Sequence, residues 1–334
     1  MKTGISLMLL GLAVLAGIIW WYGAFEIGQD VAQALWVLPP TLGLHVAQLH
    51  LSALAWRAVS GAREPGIGAF LLVRWVRESV NAVLPVAQLG GNLVGIRLLM
   101  QRGLSGPQAG AGTTIDVTME IITQAIFTLL GIAVLAAISA EQGWAPWLLG
   151  TTAAMLGAAG AFVLAQRLGL MKLVEKLAST LERVFPALPP DIFRGLHDEL
   201  IRLQRNRAAL LRALWMHLAA WMLGVVETWL VLAAMGRPTA LAEAMVLESI
   251  GMAARSAGFA VPGALGVQEA GFIIAGGLCG LPPEMAVALS VVKRAREVVA
   301  GVPGVVAWQW LEGRRLLSRR GKGKEGTAGK NLLC

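Results

Sequence analysis

Apolar positions in this chain arrive in runs near or above the roughly 18–20 residues that carry a helix across a bilayer. The runs predict transmembrane spans at 4–23, 35–59, 111–138, 147–164, 214–234 and 285–310. The links Glu26–Asp30 and Glu141–Pro146 contain no Lys or Arg, which marks them as external. Met1–Thr3 and the apolar run after them read as a retained first span rather than a secretory signal. The run exceeds the usual h-region of about 7–15 residues, and Trp20-Trp21-Tyr22 is a poor cleavage site. Between 167 and 212 the pattern changes to leucines and charges at helical spacing, with Pro186, Pro189 and Pro190 interrupting. That segment predicts an internal amphipathic region that lies on the anionic leaflet or covers the bundle.

Two further pieces fit neither pattern. Residues 66–102 carry Arg74, Arg77, Glu78 and Asn81 in a helical stretch, then Pro85 and Gly90-Gly91, and resume a helix over Asn92–Arg102. Proline interrupts the helix and pushes Leu84 toward an extended conformation. Residues Leu241–Gly280 repeat the plan with Glu243, Glu248, Arg255, Pro262, Gly263, Gly266 and Glu269. A charge near the bilayer centre costs roughly 2.5–3.5 kcal/mol on insertion scales. A break also weakens the hydrogen bonding that hides a backbone from lipid. Segments that accept both costs are candidate functional sites.

The broken pieces align at a constant offset of 177 positions. Ser79, Pro85, Ala87, Gly103, Leu104, Ala109, Ala111 and Glu120 meet identical residues at 256, 262, 264, 280, 281, 286, 288 and 297. The expected architecture is therefore an all-α polytopic membrane protein with six full spans and two re-entrant helical hairpins in an inverted repeat. One half covers about 34–138 and the other about 211–310, within a single membrane domain, 1–312. A basic, disordered cytoplasmic tail follows at 313–334.

Composition sharpens the class. The chain has 334 residues, 56% hydrophobic and only 14% charged, with a mean hydropathy of +0.67; soluble domains carry about 25% charged residues. The net charge of +8 gathers in 167–212 and after Arg314, as cytoplasmic segments do, so nucleic acid is not an expected partner. Both termini are expected inside. Two cysteines, Cys279 and Cys334, make neither a disulfide framework nor a metal set. No metal or cofactor is expected.

Several side chains are candidates for chemistry. Arg77, Glu78 and Asn81 lie within about one helical turn, and suit either a polar headgroup or ion site or a structural ion pair that holds the hairpin against its neighbour. Glu269 follows the second break, where a carboxylate can cap a helix N-terminus or handle substrate and protons. Asn92 holds the equivalent place in the first half. Arg97, Pro85 and Pro262 complete the candidate binding set with Arg255. Asp116 and Glu120 share a helix face, as do Lys293 and Glu297, with Arg294 beside them. Across the halves, Asp116–Lys293 and Glu78–Arg255 are candidate charge pairs that exchange as access alternates. His45 and His50 point about 140° apart by the helical period, which speaks for interior hydrogen bonding over a shared metal. The spacings Gly91–Gly95, Gly106–Gly110 and Gly276–Gly280 suggest close-packed helix faces.

Residues Arg77–Pro85 with Gly90-Gly91, and Val261–Glu269, resemble two signature stretches of the flippase-like membrane domain family related to the N-terminal half of lysylphosphatidylglycerol synthetases. The similarity spans about 5–312, and a branch associated with hopanoid biosynthesis looks closest. Ala264 stands where the family stretch usually has a second glycine. The resemblance implies a bacterial inner-membrane protein that binds a phospholipid or hopanoid and translocates it. Lysyl transfer is not expected of this chain, nor is enzyme activity. The alternative reading is an accessory or scaffold subunit for a membrane enzyme that modifies lipids. A third is group transfer to lipid, for which no nucleophile or metal set is visible.

Overall fold

The computed structural model describes residues 2–84, 90–139, 195–258 and 261–330, with a few isolated positions between 150 and 165. Pro85, span 147–164 and most of the amphipathic segment lie outside the described residues. All regular structure among the described residues is helical: α1 (Lys2–Tyr22), α2 (Ala24–Ala34), α3 (Leu38–Val59), α4 (Ile67–Val83), α5 (Gly90–Met100), α6 (Gly106–Ile138), α7 (Leu196–Gln204), α8 (Arg207–Ala234), α9 (Leu241–Ala257), α10 (Val267–Leu278) and α11 (Pro283–Lys330), with short 3-10 turns at Leu35–Val37 and Pro262–Ala264.

Local chemistry sets the ends of these helices. Ser105 caps α6, its hydroxyl accepting from Gln108 N, with proline in the first turn, which supplies an orphan donor with a partner. Asn206 caps α8 by accepting from Ala209 N. Leu84, ahead of Pro85, is extended at φ −97°, ψ 148° and ends α4, as sterics before proline require.

Both broken pieces form helix–break–helix units, with α4 packed on α5 and α9 on α10. Gly91 lets α5 meet α4: a Cβ there would overlap Arg77 O, and Gly91 N donates to Asn81 Oδ1 at 2.8 Å. The second break is built from left-handed residues, Gly263, Ala264 and Gly266. Ala264 occupies φ +49° without being glycine, a conformation that costs a non-glycine residue about 1–2 kcal/mol.

Several boundaries differ from the sequence reading. Two described helices, α6 and α8, are long and apolar enough to cross a membrane; the run from Met8 to Val59 adds a third only if its 99° bend after Tyr22 lies within one span. Six full spans are therefore not what the described residues present. The stretch Glu26–Asp30, read as an external link, is helical and belongs to α2. Its apolar residues Ile27 and Ala34 are buried, so packing overrides the polar composition. The amphipathic segment ends before 212, because α8 begins at Arg207. Its described part, α7, buries Leu196, Leu200 and Leu203 against α6. Helix α11 continues through Lys330, over the stretch read as a disordered tail; no proline interrupts 304–330. Of the glycine spacings, Gly95 packs on the Trp56 ring, whereas a Cβ on Gly280 would meet open space.

A candidate functional site: a charged cavity

Six helices enclose a cavity of about 260 Å³, with walls from α3, α4, α6, α8, α9 and α11. Two charged clusters line it. In the first, Arg74 donates from Nε to Glu78 Oε1 (2.6 Å), from Nη1 to Asp116 Oδ2 (3.0 Å) and from Nη2 to Glu120. Arg77 donates from Nη1 to Asp116 Oδ2 and from Nη2 to Glu120 Oε2, both at 2.6 Å. His217 Nε2 lies 3.2 Å from Asp116 Oδ1, and the Arg77 guanidinium sits over the Trp56 ring at 5.1 Å. The i, i+3 spacing of Arg74 and Arg77 puts both on the face of α4 turned to Asp116 and Glu120.

The second cluster centres on α11. Lys293 Nζ is 2.9 Å from Glu248 Oε2 and 3.4 Å from Glu227 Oε2. Thr228 accepts from Lys293 (3.2 Å) and donates to Glu248 (2.6 Å). Arg296 approaches Glu227 Oε1 at 3.2 Å and donates to His45 Nδ1 at 2.9 Å. Arg255 Nη1 donates to Glu297 Oε1 and Oε2 at 2.8 and 3.0 Å, and to Gln268 at 2.7 Å. Buried charges persist only with such partners, because desolvation of each ion costs several kcal/mol.

The charges do not face the open space equally. Side chains of Arg74, Arg77, Lys293 and Arg296 are 7% exposed or less, whereas Glu78 is 33%, Glu120 22%, Arg255 16% and Glu297 14% exposed. What a guest meets is thus three carboxylates and one guanidinium, with the remaining cations behind them.

A second space of about 470 Å³ adjoins the cavity and is apolar, walled by Leu42, Val46, Leu49, Leu71, Leu72 and Pro303 among others. His45, Trp75 and Ala300 line both spaces.

The sequence-derived candidates divide. Arg77, Glu78, Asn81, Glu120, Arg255, Lys293 and Glu297 line the cavity; Asp116 stands behind its wall, 0% exposed. Glu269 and Arg294 form a separate staple at the second break, where Pro262 opens the 3-10 turn. Glu269 Oε2 accepts from Gly266 N at 2.7 Å, its Oε1 takes Ser290 and Arg294, and Arg294 Nη1 holds Gly263 O at 2.9 Å. Arg97 pairs with Glu312, away from the cavity. Asn92 Oδ1 is buried with no hydrogen-bond partner among the described residues. The pairs Asp116–Lys293 and Glu78–Arg255 are not formed. Asp116 meets Arg74, Arg77 and His217, Lys293 meets Glu227 and Glu248, Glu78 meets Arg74 and Arg255 meets Glu297, so each charge is already partnered elsewhere.

Arg74, His45, Gln48, His217, Glu227, Glu248 and Arg296 also line the cavity and were not among the site candidates. Their signal was available: each is an ionisable or amide group within an apolar helix, the usual mark of an intramembrane site. Asp116, Glu120 and His217 come close enough to hold a metal ion. Both guanidinium groups, however, already bond to Asp116 Oδ2 and to Glu120, so a cation there would face two positive charges. His45 and His50 diverge as their spacing implies: His45 lines the cavity and His50 is exposed.

A family model described as the lysylphosphatidylglycerol synthase TM region matches residues 8–304. No curated protein matches the chain, and no solved structure does.

Proposed function

The chain belongs to the lysylphosphatidylglycerol synthase TM-region family, and from that membership we propose that it binds a membrane lipid by its headgroup and moves it between leaflets. One observation carries this reading. A cavity lined by five cationic and five carboxylate side chains opens beside an apolar groove, which is the division an amphipathic guest requires.

The exposed groups suggest the headgroup. Glu78, 33% exposed and bonded only through Oε1 among the described residues, suits an ammonium group. Arg255 uses only Nη1 among the described residues, which leaves Nε and Nη2 for a phosphate oxygen. A zwitterionic phospholipid matches both, and this lining favours it over a hopanoid headgroup. Hydrogen bonds to charged groups contribute about 1.5–3 kcal/mol each, which offsets the dehydration of the headgroup.

An inverted repeat would supply the alternation. Shifted by 177 positions, Gly90 and Gly106, which open α5 and α6, fall on Val267 and Pro283, which open α10 and α11. No nucleotide-binding motif occurs in the sequence, so movement is downhill or ion-coupled. The carboxylates of the cavity are held by guanidinium or ammonium groups, which supports a transporter over an enzyme. The basic stretch after Arg314 and the Lys/Arg-free link Glu26–Asp30 support a bacterial cytoplasmic membrane with both termini inside.

The test is leaflet exchange of acyl-labelled phosphatidylethanolamine in reconstituted vesicles. The protein accelerates exchange over empty vesicles, and Glu78→Gln and Arg255→Gln each slow it roughly tenfold, the loss of one charge-assisted contact. Unchanged exchange accompanied by altered headgroup chemistry would move the chain to the enzyme reading.

A further inference from the structure

A headgroup held among six helices must reach them from the bilayer, and among the described residues His45, Trp75 and Ala300 line both spaces. Trp75 belongs to α4 and Ala300 to α11, and the indole Nε1 donates to Ala300 O at 2.8 Å. One side of this helix seam is closed. A Cβ on Gly301 would meet Val83 at 2.8 Å, and one on Gly304 would overlap Ser79, so the helices touch there without a gap. The other side is open. Leu71, Leu72, Val299 and Pro303 turn toward α3 and wall the apolar groove. Pro303 has no N–H, so Val299 O lacks its helical donor, and α11 can bend here with one fewer hydrogen bond to break.

We propose that the lipid enters sideways between α3, α4 and α11, its hydrocarbon tail in the groove and its headgroup passing the neck formed by His45, Trp75 and Ala300. Trp75 is then the specificity-determining residue, since its ring sets the cross-section of headgroup admitted. The proposal rests on the lipid-binding reading above. The occupant of the groove follows from continuity: the groove is apolar where it leaves the cavity, and the cavity is charged where it meets the groove. A guest spanning both must change from polar to apolar at that neck, as a lipid does below its headgroup.

Two measurements test it. The first is exchange of phosphatidylethanolamine against a bulkier N-lysyl derivative in reconstituted vesicles. Trp75→Ala raises the rate of the bulky lipid relative to the small one by roughly tenfold, the scale on which pocket size discriminates. Trp75→Phe keeps the ring but loses the bond to Ala300, so it leaves that ratio near wild type. An unchanged ratio in Trp75→Ala overturns the proposal. The second measurement does not depend on transport. In a Cys279→Ser, Cys334→Ser background, His45→Cys reacts both with a hydrocarbon-soluble maleimide supplied in the bilayer and with a small water-soluble thiol reagent. Reaction with only one of them shows that the neck does not join the two spaces. If the wild type moves no lipid but the thiol reacts with both reagents, the neck stands and the translocation reading falls.

Discussion

The two clusters that wall the cavity distribute their charges between short and long helices in opposite senses. Around α6, the hairpin arm α4 supplies the cations, Arg74 and Arg77, and the long helix supplies the carboxylates, Asp116 and Glu120. Around α11 the long helix supplies Lys293 and Arg296, and the carboxylates come from α8 and α9 as Glu227 and Glu248. Arg255 and Glu297 alone keep the sense of the first cluster. Redundancy differs as well. Two arginines share two carboxylates in the first cluster, so each charge has a second partner. In the second, Lys293 is the only cation within reach of Glu248 among the described residues. The comparison predicts one tolerant cluster and one brittle cluster.

The largest effect is therefore expected at Lys293. Replacing it with Gln leaves Glu227 and Glu248 buried as like charges and costs about 3–5 kcal/mol, read as a lowered unfolding temperature in detergent and partly restored by Glu248→Gln. Asp116→Asn costs less, about 1–3 kcal/mol, because Glu120 still holds both arginines. Double-mutant cycles sharpen the contrast. Asp116→Asn with Arg77→Gln is non-additive by about 0.5–3 kcal/mol, whereas Asp116→Asn with Lys293→Gln adds within about 0.5 kcal/mol. A large coupling in the second cycle would place the two clusters in direct contact.

The breaks differ too, and the sign of the effect reverses there. Ala264→Gly relieves a left-handed alanine and stabilises the protein by about 1 kcal/mol, measured in the same unfolding assay. Smallest of all is Arg97→Gln. Its partner is Glu312, its side chain is 40% exposed, and exposed pairs contribute about 0–1 kcal/mol.

The helix–break–helix units were legible because proline, paired glycines and charges each penalise an unbroken apolar helix, and here they fall together. Leu84 ends α4 where Pro85 demands it, and α5 resumes at Gly90. The same reading overstated the breaks as the site. Glu269 proved to be a helix cap and loop staple, one of the two roles open to a carboxylate after a break. The cavity lies beside Arg77 and Glu78, before the break in α4, where α8 and α9 face α4 and α6. Glu227, Glu248 and Arg296 enter it through long-range packing, which no local pattern encodes. Charge pairing went astray for the same reason. An offset of 177 aligns residues in the sequence, but alignment does not place them in contact, and Asp116 bonds instead to arginines 42 and 39 positions away.

The most direct measurement is leaflet exchange of acyl-labelled phosphatidylethanolamine in vesicles containing wild-type protein, Glu78→Gln or Arg255→Gln. Headgroup binding in the cavity predicts fast exchange by the wild type and roughly tenfold slower exchange by each variant, compared per folded molecule. Wild-type exchange no faster than in protein-free vesicles, or variants as fast as the wild type, would contradict it.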